Sequence, residues 1–309
     1  MILVTAMVLD AIIGDPKWLW SRLPHPVAII GRVISAADRI FNRGAFRRLK
    51  GTFLVLFLVV AAGSIGLLPK LYPNGWIIEL ALATILIAQR SLTTHLKAVA
   101  DALEISLDMG RHAVSMIVGR ETADMNKTSI SRAAIESGAE NLSDGVIAPI
   151  FWFLVAGLPG LLIYKAVNTA DSMIGYRTPK YYAFGWSAAR LDDALNFIPA
   201  RLTAFLIAGL HGAIANWVDI ASDAKRHRSP NAGWPEAAMA RALDVSLSGP
   251  RSYDGELIEF PFVHEGGRRS PNTETIRDSI LVLWKIWAVC FFISLVFGAT
   301  TIMIAGSFL

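Results

Sequence analysis

Glu136-Ser-Gly-Ala-Glu140-Asn141-Leu-Ser143-Asp144-Gly145 runs without a break into the apolar stretch Val146–Ile163. A carboxylate beside hydrocarbon costs several kcal/mol unless water, a cation or a donor compensates it. Acids and amides placed directly ahead of an apolar run therefore point to chemistry or ion binding at a membrane border. The apolar run is itself interrupted by Gly157-Leu-Pro159-Gly160, which leaves two arms of about half a bilayer each. If the run crossed fully, Lys165, Arg177, Lys180 and Arg190 would lie outside, against the charge rule for membrane proteins. The expectation is a re-entrant hairpin, tolerated where it packs in protein. Asn196–Trp217, with Arg201 and His211, would then also stay on one side; two full crossings are the alternative.

Composition agrees with a membrane setting. Of 309 residues, 54% are hydrophobic and only 17% charged, where soluble domains carry about 25% charge, and the mean hydropathy is +0.47. The other long apolar runs are Thr52–Pro69, Trp76–Gln89 and Ile280–Ala305. About 20 residues span a bilayer as a helix, so Ile280–Ala305 and Thr52–Pro69 are the safest spans, and Trp76–Gln89 needs tilt or an extension. Met1–Ile13 contains Asp10 and lacks a cleavage site after a basic start, so it reads as a retained helix. The single cysteine, Cys290, lies in the last run and excludes a disulfide framework or a cysteine metal site within the chain.

The net charge is +4, and its placement orients the chain. Lys17–Lys50 is densely basic, whereas Lys70–Gly75 has one basic residue. The positive-inside rule puts Lys17–Lys50 and Arg90–Gly145 in the cytoplasm and Lys70–Gly75 outside. Nucleic-acid binding is not indicated, because no basic helix or aromatic platform accompanies the charge. Gln89–Lys127 reads as amphipathic helix, with Leu92, Leu96, Val99, Leu103 and Leu107 at three- and four-residue spacing. The fold class expected is all-α: a polytopic membrane protein with about four to six membrane-embedded helical segments and a cytoplasmic helical layer. It forms a single integral membrane domain over 1–309, with cytoplasmic regions at about 14–50, 90–145, 164–195 and 218–279.

Four polar blocks carry candidate chemistry. In Gly14-Asp15-Pro16 and His25-Pro26-Val27, His25 lies between two prolines and is presented on a loop, as a proton carrier or as a hydrogen-bonded loop histidine. In the second block Glu136, Glu140 and Asp144 are spaced by four, which stacks three carboxylates on one helical face. Such a face is either solvated or set against Mg²⁺, arginines or an amine. In the third, Asn168, Asp171 and Gly175 share a helical face, and Arg177 and Lys180 follow as phosphate recognition would want. Asp192-Asp193, further on, cannot share one helix face. One of the two is free to coordinate a metal while the other pairs with Arg190 or Arg201. The fourth, Ser229-Pro-Asn231-Ala-Gly233-Trp234-Pro235-Glu236, contains capping logic plus an asparagine and a tryptophan that capping does not need. Phosphate-loop, zinc-protease and nucleophile-elbow signatures are missing from the sequence.

These strings resemble the CobD/CbiB family of cobalamin biosynthesis, the membrane-bound adenosylcobinamide-phosphate synthases. The matching segments are Gly14-Asp-Pro, His25-Pro-Val, Glu136–Gly145, Ala166–Thr169 through Gly175-Tyr-Arg177, Phe184-Gly-Trp186, Arg190–Asp193, Pro199–Thr203 and Ser229–Ala238. The resemblance implies a multi-pass protein of the cell (inner, cytoplasmic) membrane. It also implies ATP-dependent formation of an amide between adenosylcobyric acid and aminopropanol or aminopropanol phosphate. Its partners would be the corrinoid, the amino alcohol, the lipid bilayer and other cobalamin-pathway enzymes, and Mg²⁺ and ATP would serve as cofactor and co-substrate. For such chemistry the catalytic candidates are Glu136, Glu140, Asp144, Asp171, Asp192 and His25, with Mg²⁺ on Glu140, Asp144 and Asp171. Arg177, Lys180, Arg190 and Arg201 are candidates for phosphate, Asn141, Asn168 and Asn231 for substrate amides, and Trp186 and Trp234 for the corrin. Two other classes fit the same pattern. One is a Mg²⁺-dependent membrane transferase of a phosphate- or diphosphate-bearing substrate, and the other a non-enzymatic transporter or signalling protein.

Overall fold

The computed structural model describes residues 1–253 and 256–306. Its regular structure is almost wholly helical. In chain order the helices are α1 (Ile2–Ile13), α2 (Lys17–Trp20), α3 (Pro26–Phe41), α4 (Arg47–Leu67), α5 (Gly75–Leu86), α6 (Gln89–Ile105) and α7 (Leu107–Ser115). They continue as α8 (Lys127–Leu142), α9 (Ala148–Ile174), α10 (Trp186–Leu195), α11 (Phe197–Leu210), α12 (Trp217–Ala224), α13 (Gly233–Ala242) and α14 (Thr273–Gly306). Two short antiparallel pairs are the only strands among the described residues. Four helical stretches are long and apolar enough to cross a membrane: Arg47–Leu71, Gly75–Ile105, Lys127–Ile174 and Thr273–Thr300. Phe53, Leu56, Phe57 and Val60 of α4 and Phe292, Ile293, Val296 and Phe297 of α14 remain exposed. Leaving each such side chain in water forgoes about 1.5–3 kcal/mol of burial, so these faces belong in lipid. The protein is a polytopic, all-α membrane protein.

The chain divides into two compact units. The first holds 1–88, 148–196 and the residues from Ser294 on; the second holds Gln89–Ile147 and Phe197–Ile293.

In the first unit α4 packs along α9. Glycines allow the close approach: a Cβ on Gly66 would lie 2.5 Å from the Pro159 Cα, and one on Gly63 would touch Ile163. The second arm of α9 therefore runs antiparallel to α4. At Gly157 the backbone leaves the helix (φ 64°, ψ −155°), and a Cβ on Gly160 would lie 2.5 Å from the Trp152 carbonyl. In a straight helix these residues would be about 12 Å apart. The run thus folds back at Gly157-Leu-Pro159-Gly160, as two half-length arms require. α5 has 12 residues, about 18 Å of helix, and ends where Ile87 turns extended.

In the second unit α6, α7, α11 and α13 surround α8 and the turn that follows it. The amphipathic stretch expected to continue to Lys127 stops at Ile105, because the Ser106 side chain accepts the Met109 N–H and caps a new helix, α7. The start of α14 is tied to α6 by Arg277. Its guanidinium grips both Glu104 carboxylate oxygens (2.5 and 2.9 Å) and reaches Asp101 at 3.2 Å. Asn196–Trp217, read as one apolar run, ends as helix at Leu210 and resumes only as a short turn from Ile214.

Candidate functional site

In the first unit a cleft of about 250 Å³ lies between the end of α9 and α10. It is lined by Gly175, Tyr176, Arg177, Tyr181, Tyr182, Trp186, Ala189, Arg190 and Asp193. Its position follows from local sequence. α9 ends with the Asp171 side chain folded onto Gly175, where any Cβ would overlap the carboxylate. The loop then returns so closely that Gly185 abuts the Ile174 carbonyl and Gly51 of α4 abuts that of Phe184. Only glycine fits these contacts, which fixes both ends of the loop that carries Arg177, Tyr181 and Tyr182. Thr52 and Ser187 share a hydrogen bond of 2.5 Å, and the Arg48 guanidinium lies 3.6 Å above the Trp186 ring. The cleft is therefore level with the basic end of α4.

The Asp192-Asp193 pair resolves here. Asp192 points inward, is 8% exposed, and accepts hydrogen bonds from Asn168 Nδ2 (3.2 Å) and Asn196 Nδ2 (3.0 Å). Tyr164 donates in turn to Asn196 Oδ1 at 3.0 Å. Burial pushes the Asp192 carboxyl above its usual range despite the two amides. Asp192 and Asn168 thus form a polar brace joining α9 to α10. Asp193 is the member that lines the cleft, with Arg190 three residues earlier on the same helical face. Burial raises its carboxyl as well, against the opposing pull of Arg190 and Arg177. Periodicity from Arg190 could have singled out Asp193 as the cleft-facing member in the sequence, where Asp192 was the candidate named.

Lys180, expected on phosphate, is bonded to Asp38 at 2.9 Å and to the Tyr181 hydroxyl at 2.6 Å. Asn42 bonds the other Asp38 oxygen at 2.7 Å, and Arg47 donates to the Lys180 carbonyl and to Asn42. This latch ties the cleft loop to α3 and α4. His25 sits apart as the N-cap of α3: its Nδ1 accepts the Val27 N–H at 3.2 Å, its ring meets Trp20 edge-on, and Asp15 lies 4.0 Å away. Burial holds the imidazole below its usual pKa, with Asp15 pulling the other way.

The second unit holds the remaining candidates. Glu136 is buried, paired with Arg120 at 2.7 Å, and accepts the Ser248 N–H at 2.7 Å. It fastens the neighbouring loops to α8. Helix α8 ends at Leu142, so Asp144 lies beyond it, in the π-turn Ser143–Ile147. Glu140 and Asn141 are exposed and Asp144 is half-buried, while the Ser143 hydroxyl is buried with no hydrogen-bond partner. Asn141 Nδ2 donates to the Ser137 carbonyl at 2.9 Å. Arg201 bonds Asn231 Oδ1 at 3.1 Å and lies 4.8 Å from the Trp234 ring, which itself packs on Trp217. These three candidates hold one another and shape the 229–234 loop. Among the described residues no three His, Cys, Asp or Glu side chains gather as a metal cluster.

The CobD/Cbib protein family profile matches residues 3–283. The chain belongs to the CobD/CbiB family. It is similar to the cobalamin biosynthesis protein CobD of Sinorhizobium fredii, with 46% identity over 92% of each chain. The CobD protein of Rhizobium meliloti is 44% identical over 98% of this chain and 97% of its own. That of Rhodobacter capsulatus is 46% identical over 85% and 86%. No solved structure matches.

Proposed function

We propose that this protein acts in cobalamin biosynthesis at the cytoplasmic face of the cell membrane. It joins the free propionate of adenosylcobyric acid to aminopropanol or aminopropanol phosphate as an amide. A carboxylate is a poor acyl donor at neutral pH, so the step uses ATP. The carboxylate oxygen attacks the terminal phosphorus, ADP leaves, and the amine displaces phosphate from the acyl phosphate. Catalysis then asks for cationic phosphate ligands, a proton acceptor for the ammonium and donors for the tetrahedral oxyanion.

The observation that carries this reading is the cleft, which the family-matching strings Gly175-Tyr-Arg177 and Arg190-Leu-Asp-Asp193 line with two arginines, an acid and aromatic rings. Two exposed guanidiniums at one small cavity suit a phosphate-bearing ligand. Mg²⁺ is typically held by one or two carboxylates plus substrate phosphates, so a protein cluster of three is not required. Glu140 and Asp144 on the second unit, or Asp171 on the first, fit that limited role, and Mg²⁺ there would neutralise phosphate charge. Membership alone favours the synthase over a transferase or a transporter, since the curated relatives carry a cobalamin-biosynthesis name.

The test is mass spectrometry of purified protein with adenosylcobyric acid, ATP, Mg²⁺ and each amine. A product heavier than the corrinoid by the amine minus water, absent without ATP, supports the reading. Folded protein that makes neither product, in detergent or in native membranes, overturns it.

A further inference from the structure

Arg177, Arg190 and Asp193 place two cations and one carboxylate on the wall of a single small cavity whose remaining lining is mainly aromatic. That charge pattern is the complement of a zwitterion with one doubly charged anionic end and one cationic end. At about 250 Å³ the cavity is smaller than the roughly 300–1,000 Å³ that drug-sized ligands occupy. It therefore suits a molecule of few heavy atoms rather than a whole corrinoid. We propose that Asp193 binds the ammonium of the amino-alcohol substrate and accepts its proton, while Arg177 and Arg190 hold the phosphate. This rests on the amide-forming reading and extends it to a residue-level assignment of the smaller substrate.

Geometry separates Asp193 from its neighbour. Asp192 is committed to two asparagine amides in the interior, whereas Asp193 lines the cavity. Partial burial keeps the Asp193 carboxyl more basic than usual even with two arginines close by, which suits a proton acceptor. The chemistry balances. One ammonium proton passes to the Asp193 carboxylate, and the freed lone pair forms the C–N bond to the acyl carbon. The acyl C–O bond breaks with its electron pair leaving on phosphate, and the second nitrogen proton leaves to phosphate or water.

Calorimetric titration of the full-length protein with aminopropanol phosphate, and separately with inorganic phosphate, tests the assignment. In Asp193→Asn the amine phosphate should bind at least about ten-fold more weakly, while inorganic phosphate binds as well as to the unaltered protein or better, since a repulsive charge has gone. Retained phosphate binding also shows that the cleft is folded. Arg177→Ala or Arg190→Ala should weaken both ligands. Unchanged amine-phosphate binding in Asp193→Asn overturns the assignment, and so does equal loss of both ligands, which would make Asp193 a support of the cleft. Turnover is the separate readout. Absence of product from the unaltered protein sinks the amide-forming reading, whereas normal product with unaffected variants sinks only this inference.

Discussion

At the residue scale, adjacent or similarly spaced acids in this chain do different work because their surroundings differ. Asp192 braces α9 against α10, so Asp192→Ala leaves the Asn168 and Asn196 amides without their acceptor in the interior. Each orphaned donor costs about 1–3 kcal/mol, and thermal unfolding in detergent should show a lowered midpoint. Asp193→Ala, beside the cavity, should leave that midpoint nearly unchanged while abolishing turnover. Equal midpoints for the two variants would contradict the division of roles. The sequence made both acids conspicuous, but their separation depends on which helix face meets α9, and that is a tertiary fact. Glu136 shows the same limit: its partner Arg120 is sixteen residues away, across a loop that periodicity does not describe.

At the element scale, the fold-back of α9 was legible as one of two readings, because Gly and Pro in the middle of an apolar run break the helix into two half-length arms. The π-turn at Ser143–Ile147 was not, since the local composition suits an uninterrupted helix equally well. Glycines set the helix contacts around the cleft. Gly51→Ala would drive a methyl into the Phe184 carbonyl, so little folded protein is expected by size-exclusion chromatography. Gly209→Ala, with nothing within 4 Å, should be neutral or stabilising by about 0.5–1 kcal/mol. The latch on the cleft loop has a pH signature. Burial alone would raise the Asp38 carboxyl, but hydrogen bonds from Lys180 and Asn42 outweigh it and hold the carboxyl below its usual range. A lowered folded-state value stabilises the latch above the unfolded carboxylate pKa of about 3.9 and is lost as pH falls through the folded value. Hydrogen exchange in residues 176–185 should therefore accelerate relative to the rest of the first unit at low pH. In Asp38→Asn it should already be faster at neutral pH. Exchange in Asp38→Asn indistinguishable from the unaltered protein would contradict the latch.

At the scale of the whole molecule, hydropathy and charge sufficed for an all-α membrane protein, and the exposed apolar faces of α4 and α14 agree. The division into two units was not legible, because each is assembled from stretches far apart in the chain. Orientation is open to direct measurement. In a Cys290→Ser background, a cysteine at Lys70 should react with an impermeant maleimide from outside intact cells, and one at Ser187 should not. Labelling of Ser187→Cys from outside would contradict the re-entrant reading and the cytoplasmic cleft.

The amide-forming account is tested most directly with adenosylcobyric acid carrying ¹⁸O in its free carboxylate. Activation by ATP followed by amine attack predicts one ¹⁸O atom in the inorganic phosphate released for every amide formed. Label retained in the corrinoid product alone, or appearing in AMP or water, would contradict it.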